Sequence, residues 1–260
     1  MPFGSIPRKS AFKNAIQKLV GAPLLIRRLQ APAIMRMLDC RKGDLILDLG
    51  CGEGYFAYEI GKQCRCVAVD LQRNRKLLYA AQRLPRLSYT LADGEHLPFK
   101  SGMFDKILLS SILQMVGSDG DLLFECDRVL KPEGIIVLTV PEAYIYVKAL
   151  NQSKHLLNRR FGATKGYYRR EEIMALLKSS GHAVSAAEYA PKRIGSLLYE
   201  LQLRCRWLGR SALAELLYFL AAYPLAYFDR FDHLGARGCE LVIKAVKGSG
   251  PKSRGPGNDT

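Results

Sequence analysis

The sequence predicts an α/β fold: a doubly wound sheet of seven mostly parallel strands, closed by one antiparallel strand, with helices on both faces. Three observations predict it. Short apolar runs alternate with helical stretches from Asp44 to about Ala190. Those runs are continuously apolar, as strands covered on both faces must be. One further apolar run stands apart near the end, Glu240-Leu-Val-Ile-Lys-Ala-Val246, and reads as the closing strand.

Residues 1–42 form a basic, helical N-terminal cap, with nine Lys and Arg against Asp39 alone. Pro23 and Pro32 divide it into three short pieces, because proline lacks the helical donor. Phe12, Ile16 and Leu19 recur at helical spacing and make the first piece amphipathic. The domain proper spans 43–246. Its strands are expected at 44–49, 65–69, 88–92, 104–109, 134–140 and 183–189, and its helices near 53–62, 73–84, 119–129 and 170–180. A hydrophobic helical insert, 192–237, precedes the closing strand. The tail from Lys247 is rich in Gly, Pro and Ser and reads as disordered.

At 260 residues the chain suffices for one large domain with a buried core. A net charge of +15 favours an anionic partner: a membrane surface, a nucleic acid or an acidic substrate. Seven scattered cysteines without a CxxC pair argue for reduced thiols and no metal site, although Cys64 and Cys66 fall on one face of a strand. The first residues lack a continuous apolar core and a cleavage site, which predicts no secretory signal and a cytoplasmic location.

The chemistry concentrates in Asp48-Leu-Gly-Cys-Gly-Glu-Gly54, where an apolar strand ends, glycines turn the backbone tightly and a helix begins. A dinucleotide would bring a pyrophosphate to that helix start, and acidic side chains would oppose it. Asp48 before the turn and Glu53 within it suit a ligand with an ammonium and a sulfonium and no phosphate. S-adenosylmethionine (SAM) is such a ligand. Asp70 ends the second strand, where a carboxylate can accept from both ribose hydroxyls. Asp93 follows the third strand, placed to accept from the adenine amine. Any one of these acids reads equally as a cap or turn former. Three of them at three successive strand ends, beside the glycine loop, favour the ligand.

With these pieces, LDLGCGEG (47–54), VAVD (67–70), ADGEHLPF (92–99), FDKILLSSILQMV (104–116), RVLKPEGIIVLTVP (128–141) and YYRREEIMALLKSSGHAV (167–184), the chain resembles the class I, Rossmann-like SAM-dependent methyltransferases. Within these it is similar to the type 11 group, which includes ubiquinone and menaquinone methyltransferases. The resemblance covers about 45–190. It implies that Gly50, Cys51, Gly52 and Gly54 lie along the methionine part of SAM and that Asp48 supports the loop. It assigns Asp70 and Leu71 to the nucleoside, Asp93 and Gly94 to the adenine, and Ser110 to the cofactor near its sulfonium. Ser111 and Gln114 would face the acceptor, as would Tyr167 and Tyr168, which a hydrophobic staple explains equally well.

Many relatives carry a histidine where Gln114 stands, so no general base is assigned and the catalytic residues stay open. Methyl transfer mainly asks for alignment of nucleophile, methyl and leaving sulfur. A base matters only for a hydroxyl or an acidic carbon. His96, His155, His182 and His233 read as surface or packing residues.

In this architecture ligands bind outside the carboxyl ends of the strands. The N-terminal cap, the connection 144–166 and the insert should converge there. All three are basic, and the insert adds the run Ser211–Phe228 with one charge, Glu215. The acceptor is expected to be a small molecule or lipid-like, and a basic rim beside an apolar helix favours an amphiphilic one met at the cytoplasmic membrane surface. A lid packed on the domain explains the apolar run as well. Topology argues against a single span, which would part strand 240–246 from its sheet, and allows an interfacial helix or re-entrant pair. The alternatives from other classes are an RNA methyltransferase or nucleic-acid-binding protein using the basic face, and a SAM-binding scaffold without activity. No N/D-P-P-Y/F motif follows the fourth strand, where Ser110-Ser-Ile-Leu stands.

Overall fold

The computed structural model describes residues 25–142, 167–208, 221–222, 224–225, 227–231 and 238–248. The amphipathic piece around Phe12, the connection 144–166, most of the apolar run 211–228 and the tail beyond 248 lie outside these.

The first described element is helix α1 (Leu25–Leu38), and it corrects the expected break at Pro32, which lies inside it. Pro32 is exposed, while Ile26, Gln30, Ala33, Ile34, Met37 and Leu38 recur at helical spacing and are buried. Burying that stripe outweighs the one donor that proline removes.

The sheet follows the predicted strands closely: β1 (Leu45–Leu49), β2 (Arg65–Asp70), β3 (Leu87–Leu91), β4 (Phe104–Ser110), β5 (Leu130–Pro141), β6 (His182–Tyr189) and β7 (Glu240–Lys247). Their order is β3-β2-β1-β4-β5-β7-β6. All pairs are parallel except those of β7, which runs antiparallel to both β5 and β6. β5 begins four residues before the expected Gly134, and Lys247 belongs to β7 rather than to a tail. The Lys247 ammonium is taken up by the carbonyls of Asp127 and Leu130, at 2.6 and 2.8 Å.

Helices α2 (Tyr55–Gly61), α3 (Arg75–Ala81), α4 (Asp119–Val129), α5 (Arg170–Ser179) and α6 (Arg193–Leu208) complete the described elements, with 3-10 turns at Leu113–Met115 and Phe228–Phe231. Two apolar clusters cover the two sheet faces. One joins α1, α2 and α3 to Ile46, Cys66, Ala68, Leu108, Val137 and Val242; Cys64 and Cys66 both lie in it. The other joins α4 and α5 to Leu47, Leu49, Ile107, Leu109, Ile136, Leu138 and Ile243. This is the doubly wound arrangement, with β1, β2, β4, β5 and β7 contributing to the core on both sides and the edge strands β3 and β6 largely exposed. Among the described residues, no helix is long and apolar enough to cross a membrane.

Candidate functional site

The site is built at the carboxyl ends of β1, β2 and β4, where strand order reverses around β1. The chain leaving β1 crosses onto β2: the Gly50 and Cys51 amides both donate to Val69 O, at 2.8 and 3.0 Å. Gly50 and Gly52 hold φ of 71° and 52°, the left-handed region that favours glycine. They differ in surroundings. A Cβ on Gly50 would lie 2.4 Å from Ile112 Cδ1, whereas one on Gly52 would meet open space. The loop is thus packed tightly beneath and open above, at Gly52.

Asp48 lies under this loop and is buried, and neither of its carboxylate oxygens has a hydrogen-bond partner. Burial pushes its pKa up to about 7, against the attraction of the Arg27 guanidinium and of the Ala57 backbone N–H, which lies too far off line for a regular hydrogen bond. Such an orphaned buried carboxylate is costly unless something cationic completes it. The donor set therefore fits SAM: the ammonium of its amino-acid end would complete Asp48, and the open space above Gly52 would admit its chain.

Asp70, at the end of β2, is bound to the glycine loop. Its two oxygens accept from Gly52 N at 2.8 Å and Gln72 N at 2.9 Å. Each oxygen keeps a lone pair for a further donor. Two residues not singled out from sequence hold this turn. Asn74 donates to Gly52 O at 2.8 Å and accepts from Lys76 N and Leu77 N as the N-cap of α3. Tyr89 accepts from Asn74 N and donates to Gln72 O. The cap was the readable signal, an asparagine before a helix. Leu71, next to Asp70, is 71% exposed and presents an apolar surface at the strand end. Glu53, within the loop, is exposed and stands 3.6 Å from Lys76.

Asp93 follows β3, accepts from Glu95 N at 3.0 Å and stands 3.9 Å from His96 Nδ1. Its turn is anchored on both sides. Glu95 accepts from Gly117 N and Ser118 N, and Gly94 packs so closely that a Cβ would lie 2.7 Å from Leu122. Arg128 donates to Leu97 O, Phe99 O and the Glu125 carboxylate, and Glu125 accepts from Leu97 N.

At the end of β4, Ser110 is buried and Ser111 takes φ 54°, a strained conformation for serine. A polar network that the sequence did not reveal joins them to the N-terminal helix. Arg27 Nη1 donates to Ser110 Oγ at 2.5 Å, Ser111 Oγ at 3.2 Å and Gln30 Oε1 at 3.2 Å. Glu240, at the start of β7, accepts from Gln30 Nε2 at 2.7 Å and from Ser111 Oγ at 3.2 Å. Ser111 also meets Thr139 Oγ1 at 3.1 Å. A readable hint was Gln30, a polar residue on the apolar stripe of α1.

Gln114 is buried in the 3-10 turn after β4. Tyr168 is fully buried, and its hydroxyl donates to Leu113 O or Asp119 Oδ2, at 3.2 and 3.0 Å. It ties the 3-10 turn after β4 to the start of α4, while Tyr167 beside it is half-buried. Among the described residues, no group of three or more His, Cys, Asp or Glu is placed to hold a metal ion.

Residues 47–138, from β1 through β5, match the family described as a methyltransferase domain. Over these residues, about a third of its length, the chain is similar to a methyltransferase domain. The match takes in the glycine loop, Asp70, Asp93 and the β4 serines of that domain. Relatives with other printed activities share it. A human mitochondrial arginine-hydroxylase is 34% identical over 99 residues, 37% of this chain and 28% of that protein. A ubiquinone/menaquinone biosynthesis C-methyltransferase of Cereibacter sphaeroides is 31% identical over 121 residues, 44% of this chain and 48% of that protein. The chain thus spans less than half the length of either. The solved structure of the cyclase SpnF superposes with a TM-score of 0.58 at 17% identity, covering 95% of this chain and 85% of that one, and shares the fold of the methyltransferase domain.

Proposed function

We propose that the chain transfers a methyl group from SAM to an amphiphilic, lipid-like acceptor at the cytoplasmic membrane surface. The observation that carries the SAM part is the buried, unpartnered Asp48 carboxylate beneath the open glycine loop. When bound, SAM supplies a methyl group already activated on sulfur. The chain's own residues then have holding and aligning to do. Asp48 would neutralise the ammonium, with Gly50, Cys51, Gly52 and Gly54 leaving room for the amino-acid chain. Asp70 would take the ribose hydroxyls, Leu71 would cover the nucleoside, and Asp93 and the Gly94 backbone would take the adenine amine. Ser110, Ser111 and Gln114 would face the reacting end, with Tyr167 as the acceptor's wall and the fully buried Tyr168 supporting it from behind rather than touching the acceptor. Residues 43–246 are the methyltransferase unit in this reading and 1–42 its cap.

The acceptor part is supported by the surface beside that end. Ile194, Leu197 and Leu201 are exposed and fall at helical spacing along α6, with Leu197 66% exposed. Leu225, Tyr227, Phe228 and Phe231 are exposed in the segment that packs near α6. Arg193 and the chain's net charge of +15 complement an anionic surface. The relative from Cereibacter sphaeroides acts, by its name, in the synthesis of ubiquinone and menaquinone, which agrees with a lipid-like acceptor. The RNA alternative rests on charge alone.

The test is calorimetry of SAM binding to the wild type and Asp70→Ala, then sedimentation with phosphatidylglycerol vesicles. Tight SAM binding that Asp70→Ala weakens tenfold or more, with sedimentation on anionic but not on neutral vesicles, is expected. Failure to bind SAM overturns the methyltransferase reading. SAM binding without sedimentation overturns the membrane part.

A further inference from the structure

Arg27 directs its guanidinium at the end of β4. It is half-buried, and its guanidinium lies 5.9 Å from the Phe56 ring centroid, against the first turn of α2. Its hydrogen bonds are all made by Nη1 and all go to neutral groups: the Ser110 and Ser111 hydroxyls and the Gln30 amide oxygen. Among the described residues, no carboxylate lies within ion-pair distance of it. The nearby acid is Glu240, and Gln30 Nε2 and Ser111 Oγ occupy its Oε2 instead. Asp48, the other acid of this corner, feels the guanidinium through space but does not pair with it.

A guanidinium presents five donors in a planar fork. Here Nη1 is fully used in fixing the head, while Nη2 and Nε have no acceptor among the described residues. An arginine with one edge locked and the other edge unspent is the preorganised half of a bidentate contact with an oxyanion. The locked edge also sets its place: over the end of β4, one polar step from the reacting end of the site as assigned above.

We propose that Arg27 is the anion-binding residue of this site, taking a carboxylate or similar oxyanion of a bound molecule on its Nη2–Nε edge. The inference rests on the reading of the pocket as a SAM site. Two molecules could bring the oxyanion, the cofactor through its amino-acid carboxylate or an acidic acceptor. A sulfonium alone would be repelled by Arg27, so a net anionic group beside it is what makes the arrangement productive.

The test compares the wild type, Arg27→Met and Arg27→Lys, with thermal unfolding to establish that each folds. Calorimetry measures SAM and decarboxylated SAM, and then malonate on the protein loaded with S-adenosylhomocysteine. If the cofactor brings the oxyanion, the wild type prefers SAM over decarboxylated SAM by tenfold or more, and Arg27→Met abolishes the preference. If the acceptor brings it, Arg27→Met binds SAM within twofold of the wild type but loses malonate binding by tenfold or more. In either case Arg27→Lys falls between, since it keeps charge without the fork. Arg27→Met matching the wild type within twofold in both series overturns the proposal. Should Arg27→Met not fold, Arg27→Lys matching the wild type in both series does the same. A wild type that binds neither SAM nor its decarboxylated form refutes the SAM reading instead, and malonate on the unloaded proteins then decides the role of Arg27.

Discussion

Asp48 and Arg27 are opposite charges on the same corner of the sheet that do not touch: the carboxylate has no hydrogen-bond partner, and the guanidinium is held by Ser110 and Ser111. Burial raises the Asp48 pKa from 3.8 to about 7, which corresponds to about 4 kcal/mol of destabilisation once the group is charged. Asp48→Asn should therefore melt higher than the wild type at pH 8 without ligand, even though the amide is no better partnered. The same substitution should weaken SAM binding by tenfold or more. A lower melting temperature at pH 8 would show that Asp48 has an internal partner and is structural.

Gly50 and Gly52 separate folding from binding within one loop. Gly50→Ala meets Ile112 at 2.4 Å and keeps a positive φ, so it should cost about 2–3 kcal/mol and lower the melting temperature clearly. Gly52→Ala carries only the backbone strain, about 1 kcal/mol. Its added methyl points into the space where the ligand would lie, so it should lose SAM binding with a small change in melting. Equal losses of binding and stability in both variants would refute the open face at Gly52.

The fold was legible because its signal is local and repeated. Strands β1, β2, β4, β5 and β7 are apolar runs, and burial on both faces explains that pattern without any long-range knowledge, while β3 and β6, at the sheet edges, are largely exposed. Pro32 misled because a local breaker signal was set against a packing stripe, Ile26 to Leu38, whose burial only the folded sheet reveals. The loop 48–54 could be read as a site from its glycines and acids. What could not be read was the network Arg27–Ser111–Glu240–Gln30, since Gln30 and Glu240 are 210 positions apart. No periodicity relates a helix before β1 to the first residue of β7. Their meeting follows from β7 inserting antiparallel beside β5, which brings its start to the carboxyl edge.

Arg128 braces the 92–99 turn through contacts that lysine cannot copy. Its fork reaches Leu97 O, Phe99 O and both Glu125 oxygens, while Glu125 takes Leu97 N. Arg128→Lys keeps the charge and loses the planar geometry, so it should cost about 1–3 kcal/mol. The slackened turn carries Asp93 and Gly94, so affinity for the adenine end should fall with it. Adenosine and SAM measured on the variant should lose affinity by the same factor, because the defect is at their shared end. Loss for SAM alone would place the effect elsewhere.

Two buried groups oppose each other in one pH window. Burial, then the Lys247 ammonium, pushes His182 from 6.5 down to about 4, with Asp127 at 3.6 Å from both. The unfolded imidazole protonates first as pH falls, so His182 contributes stability above pH 6.5 that is lost toward pH 4, about 3 kcal/mol in all. Asp48 runs the other way: its raised pKa means the folded form takes up a proton first, so stability is gained as pH falls from about 7 to 3.8. The two slopes nearly cancel, and unfolding by urea should show a midpoint that changes little between pH 7 and 5. Each single substitution then exposes the other group. Asp48→Asn should leave a protein that loses stability steadily on acidification, and His182→Gln one that gains it. Parallel profiles for the two variants would mean that at least one of these groups does not titrate as its burial demands.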